Sequence, residues 1–168
     1  MPYVTFLESH SLGSGPLPAA AQLAAQNPGA LIFGPDGRVV DIDPTQPPPT
    51  DAKSPGRPKL GVTAREVTLL PRHWEWLAAQ PGGASVALRK LVEAAARDPK
   101  AERIAARDAA YRFASAMGGN EAGFEEAIRA LYAGKRKKFH RQLETWPPDV
   151  REHLEKMAAP AFADENED

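Results

Sequence analysis

The sequence contains no cysteine, which removes a disulfide framework, a thiol nucleophile and a thiolate metal site at once. No apolar run reaches the roughly eighteen residues that a membrane-spanning helix needs. The opening MPYVTFLESH has no basic segment followed by an apolar one, so neither export nor membrane insertion is signalled and a cytoplasmic protein is expected. His10, His73, His140 and His153 include no pair three or four residues apart, the spacing that would place two imidazoles on one helical face around a metal. Gly13-Ser14-Gly15 is too short for a phosphate-binding loop and lacks its lysine. Arg151-Glu152-His153 sets an acid beside a histidine, but such neighbours are common on exposed helices, and nothing pairs a nucleophile with a base and an orienter. The expectation is a protein that is not an enzyme, with no catalytic residue, no metal and no cofactor.

Net charge is nearly absent as well. The 168 residues balance to -1, which argues against a protein that coats nucleic acid, yet the balance conceals a distribution. Residues 1–58 carry 3 basic and 5 acidic side chains, residues 59–98 carry 6 and 4, and residues 99–168 carry 12 and 13. A chain of this length holds one domain, or two small ones and a linker, and can bury a core in either case.

What is present is a sequence of local signals. Residues 3–7 are rich in β-favouring side chains, and a turn after Glu8 leads to a second short strand near residues 12–14. Pro16 and Pro18 open an alanine-rich helix that stops at Asn27-Pro28-Gly29. Residues 30–33 and 38–42 then flank Gly34-Pro35-Asp36-Gly37, a tight turn between antiparallel strands. Residues 1–43 thus read as a small ββαββ unit. The stretch DPTQPPPTDAKSPGRP, residues 43–58, has six prolines in sixteen positions and almost nothing to bury, so residues 44–58 are expected to form an extended linker. Beyond Asp98-Pro99, helices are expected to Met117, from Glu121 to Ala133, from Lys135 to Trp146, and after Pro147-Pro148, giving a helical bundle over residues 98–162. Residues 163–168, ADENED, read as a disordered acidic tail. The fold class expected is α+β.

The central segment, residues 59–97, is the most informative. Val67 and Leu69 alternate with Glu66, Thr68 and Leu70 as a half-buried strand requires. Pro71 suits the first turn of a helix over about residues 72–80, in which Trp74, Leu77 and Ala78 form a stripe. Trp74 and Trp76 lie about 200° apart around it, so both cannot face one core. After Pro81-Gly82-Gly83, Ser85 is placed to cap a second helix whose Leu88, Leu91, Val92 and Ala95 oppose Arg89, Lys90, Glu93 and Arg97.

This strand, helix, glycine turn and serine-capped helix resembles the ribbon-helix-helix DNA-binding module. The residues carrying the resemblance are Val67, Thr68, Leu69, Gly83, Ser85, Leu88, Arg89, Leu91 and Val92. It implies a homodimer in which the 67–69 strands of two chains pair as a ribbon in the major groove of double-stranded DNA. By the same resemblance Glu66 and Thr68 face the bases, while Ser85 and the Val86 N–H hold a phosphate. Glu66 departs from the pattern, since a carboxylate there accepts from cytosine N4 but repels phosphates.

Two basic stretches extend this picture. Arg57 and Lys59 flank Pro58 immediately before the strand and could serve as an arm on phosphates or the minor groove. Lys135, Arg136, Lys137 and Lys138 form the densest positive charge in the chain, read either as a solvated helix face or as an auxiliary phosphate contact. YVTFLESHSLGSGPL, the segment from Gly56 to Val92 and FEEAIRALYAGKRKKF together resemble a family of bacterial proteins known only as a domain of unknown function. The function expected is a dimeric transcriptional regulator; the alternative is a protein-interaction or adaptor module with no DNA binding.

Overall fold

The structure is a computed structural model that describes residues 1–42 and 65–162. The linker, the Arg57-Lys59 arm and the acidic tail lie outside the described residues. The chain divides into two compact units, residues 1–50 with 99–168 and residues 51–98.

The first unit begins with β1 (Tyr3–Leu7) and β2 (His10–Gly15), joined through Glu8, which takes a φ of 51° in the tight turn. Helix α1 (Leu17–Gln26) follows, with proline in its first turn, and then β3 (Leu31–Phe33) and β4 (Val39–Val40). The strands form one antiparallel sheet in the order β2-β1-β3-β4. The expected ββαββ order is therefore present, and its pairing follows from alternation. Val4 pairs with Phe33, Thr5 with Ile32 and Phe6 with Leu31, so Val4, Phe6 and Phe33 project from one face while Thr5 and Ile32 project from the other. Thr5 is buried, and its hydroxyl donates to the Ala20 carbonyl of α1 at 3.3 Å. That bond removes the cost of burying a hydroxyl and fixes α1 on this face.

The C-terminal helices are α4 (Pro99–Met117), α5 (Phe124–Tyr132), α6 (Arg136–Gln142) and α7 (Pro148–Ala158), closed by a 3-10 turn, Ala159–Phe162, and α4 and α7 meet the opposite face of the sheet through Phe113 and His153. Phe113 of α4 meets Phe33 at 4.9 Å and Phe6 at 5.5 Å between ring centroids. Residues 1–42 and 99–162, read from sequence as separate segments, thereby share one hydrophobic core. Gly37, at a φ of 75°, brings the β3–β4 turn so close to α4 that a Cβ there would strike the Ala109 carbonyl. Arg112 donates to the Asp36 carbonyl at 3.1 Å beside it.

One helix start in this unit differs from expectation. Residues 121–123 are turn rather than helix, and α5 begins at Phe124 because Gly123 sits at a φ of 80°, a left-handed conformation that helical residues do not share. Trp146 is buried and donates its indole N–H to the Ala122 carbonyl at 3.0 Å, which anchors that turn.

The second unit contains α2 (Pro71–Ala78) and α3 (Gly83–Ala96). Here too a start is corrected: Ser85 is not the N-cap of α3. Gly82 occupies that position at a φ of 85°, and no side-chain cap bond is made. Two consecutive glycines with positive φ close the turn earlier than a serine cap would.

Candidate nucleic-acid interface

Residues 65–70 carry Glu66 and Thr68 at exposed positions and enter no strand ladder. Leu70 ends the segment in extended backbone, φ -67° and ψ 150°, and Pro71 then opens α2. Across the glycine turn, Ser85 lies exposed in the first turn of α3, and Arg89 reaches back to donate to its carbonyl at 3.2 Å. Val86 packs under Gly82, whose position a Cβ would bring within 3.1 Å of the valine side chain. Ser85 thus lies in the first turn of α3 without capping it.

Packing in this unit is sparse. Leu77 and Ala87 are its buried apolar side chains among the described residues, whereas Val67, Leu70, Trp74, Trp76, Leu91 and Val92 are all exposed, Val92 at 63%. Both tryptophans are on the surface. Leu69, His73, Trp76, Leu77, Leu88 and Leu91 line a shallow groove of about 240 Å³ between the two helices.

The basic run belongs to the first unit. Lys135, Arg136, Lys137 and Lys138 are exposed, whereas Phe139 is fully buried. The Lys135 N–H donates to the Ala130 carbonyl at 2.9 Å, so the run starts directly at the end of α5. Glu126 of α5 pairs with Arg129 at 3.7 Å.

Two groupings escaped sequence reading because each is assembled across elements. Tyr111 of α4 and Tyr132 of α5 meet edge to face at 6.1 Å, and the Arg107 guanidinium lies over the Tyr132 ring at 4.7 Å. The Tyr132 hydroxyl is 3.5 Å from Asp108; partial desolvation, then the Asp108 charge, raise its pKa. The second is a cleft of about 300 Å³ between β2 and α7, lined by Ser11, Ser14, Asp149, Glu152, His153 and Lys156 among others. His153 packs against Phe113 at 4.7 Å and Phe6 at 5.7 Å, and burial followed by the nearby Lys156 charge pushes its pKa down. Asp149 accepts the Ser11 backbone N–H at 2.9 Å. No group of three or more His, Asp or Glu side chains among the described residues could hold a metal ion, and no described helix is long and apolar enough to cross a membrane.

Sheet and site together define an α+β protein with an appended two-helix unit. The chain belongs to the family described as "Uncharacterized protein conserved in bacteria (DUF2239)", whose profile matches residues 19–158. No curated protein and no solved structure matches it.

Proposed function

We propose that the chain is a homodimeric DNA-binding protein, a transcriptional regulator whose residues 67–69 pair with their copies to form a ribbon in the major groove. The observation that supports this reading is the unladdered segment 65–70, ending in extended backbone at Leu70, directly before α2, a left-handed glycine turn and α3. An extended segment leaves backbone N–H and C=O groups to be satisfied, and α2 and α3 have no free groups to lend along their length. A second copy of the segment supplies them antiparallel. Glu66 and Thr68 then face base edges, and Ser85 with the Val86 N–H meets a phosphate at the positive end of α3. Arg57, Lys59 and the Lys135–Lys138 run add sequence-independent charge.

The test is a band-shift titration of the full chain with random duplex at rising salt. Binding that weakens steeply and linearly on a logarithmic salt scale is expected, and a chain that leaves duplex unshifted at low salt overturns the proposal. A second reading, a protein-interaction or adaptor module, is favoured by one specific feature: the apolar groove lined by Trp76 and Leu91, in a unit that also leaves Val67, Trp74 and Val92 exposed. A dimer that ignores duplex would select it.

A further inference from the structure

The core-facing side of the sheet changes character at its outer strand. On β1 that side carries Val4 and Phe6, both buried. Directly across the ladder, β2 sets Ser14 opposite Val4 and Ser11 opposite Phe6. Residues three apart on a regular strand point to opposite faces. Here the register shifts between Thr5 and Phe6, so β2 holds one residue more than β1 and both serines come to the same side. Bulges serve this purpose, re-aiming side chains at sheet edges and beside functional sites. The core does not require the serines, since Phe6, Phe33 and Phe113 close on one another behind them.

Facing the serines is one stripe of α7. Asp149, Glu152, His153 and Lys156 stand at i, i+3, i+4 and i+7, while Val150, Leu154 and Met157 of the same helix are buried. The stripe and the two serines line the cleft of about 300 Å³, a volume at the lower end of those that hold small molecules. Val4 in its wall is buried and His153 half-buried, whereas Glu152 and Lys156 are exposed and pair at 2.6 Å. No hydrogen bond joins either serine hydroxyl, or either ring nitrogen of His153, to another described residue.

The charges decide what such a cleft takes. Two carboxylates line it against one lysine, and that lysine is already held by Glu152. The Ser11 N–H fixes Asp149 through Oδ2, and no ion pair joins Asp149 to another described residue. His153 adds no charge at neutral pH, because burial and then Lys156 hold its pKa down. An anion would meet excess negative charge here, and a metal ion would lack a set of ligands among the described residues. An added strand would find the Ser11 N–H taken and the edge bulged. A small organic cation with N–H donors matches both the charge and the free acceptors.

We propose that the cleft between β2 and α7 is a binding site for a small protonated amine with a short apolar body, its ammonium held by Asp149, Glu152 and the Ser14 hydroxyl and its body laid against Val4 and Pro2. The site lies within the first unit and does not depend on the ribbon.

NMR titration of the full chain with n-butylamine at neutral pH tests the proposal. The His153 ring signals, identified by their loss in His153→Leu, should shift and saturate. Butyrate and n-butanol, of the same chain length, should bind about tenfold more weakly or worse. Asp149→Asn keeps an oxygen for the Ser11 N–H and removes the charge. Combined with Glu152→Gln it should weaken n-butylamine by about tenfold or more. Lys156→Gln releases Glu152 and should keep or strengthen amine binding, whereas loss of binding in that variant would mark an anion site and overturn the proposal. Shifts that never saturate, butyrate binding as tightly as the amine, or unchanged affinity in the double variant would each overturn it too. If the double variant unfolds, Glu152→Gln alone, a change at an exposed side chain, should still weaken the amine, and unchanged affinity there would count against the site. Thr68→Pro should bind n-butylamine as the parent does, so failure of the ribbon and failure of this site are told apart.

Discussion

His153 is held where its ring is better neutral than charged. Phe6 and Phe113 cover it, Lys156 adds a like charge, and its pKa falls below the ordinary 6.5 in consequence. Between the folded and unfolded values the unfolded chain binds more protons, so unfolding free energy rises with pH in that window and stability is lost as pH falls below 6.5. His153→Leu, which keeps the apolar contacts and removes the titration, should lose less stability than the parent between about pH 7 and about pH 5 in urea melts. Identical losses would mean that the ring exchanges protons freely in the fold. Asp149, one turn earlier on α7, acts differently. By accepting the Ser11 N–H it occupies part of the outer edge of β2, a row of groups that would otherwise invite another strand. Neither role was visible in the sequence, where Glu152 and His153 are only neighbours on a helix.

Helix boundaries show where local signals reach and where they stop. Proline marked the starts of α1, α2, α4 and α7, because its missing N–H is harmless in a first turn. Glycine was harder to interpret. At Gly82 and Gly123 a glycine with positive φ stands directly before the helix, and beside Gly82 the cap was credited to Ser85, which does not form it. Ser85→Ala tests this difference. With no side-chain cap bond to lose, the unfolding free energy should change by no more than a surface substitution does, about 0.5 kcal/mol. A loss of duplex affinity across all sequences would then report a phosphate contact directly. Unchanged affinity would remove Ser85 from the interface. The strands of the ββαββ unit were legible because their turns are chemically explicit, as at Gly34-Pro35-Asp36-Gly37. The Tyr111, Tyr132 and Arg107 cluster was not, since each member looks ordinary within its own helix and only the packing of α4 on α5 unites them.

At the scale of the whole molecule the two units differ in how complete they are. The first closes a core around Phe6, Phe33 and Phe113 with a sheet covered on both faces. The second leaves most of α3 exposed, with Leu77 and Ala87 as its buried apolar side chains among the described residues. Two helices with so little buried between them fall below what isolated small units need, and oligomerisation is a common remedy. A second copy would cover Val67 and Leu70, seat apolar side chains in the groove beside Trp76, and satisfy the backbone of residues 65–70. Light scattering at micromolar concentration should therefore give the mass of a dimer. Proline at position 68 removes a ladder hydrogen bond from each of two paired strands, so Thr68→Pro should disperse that dimer and abolish duplex binding together. The sheet-based unit should stay folded in this variant, since its core contains no residue from 65–98, and circular dichroism would record the retained structure. A parent chain that is a well-folded monomer at these concentrations would remove the ribbon, and the case for a major-groove reader with it.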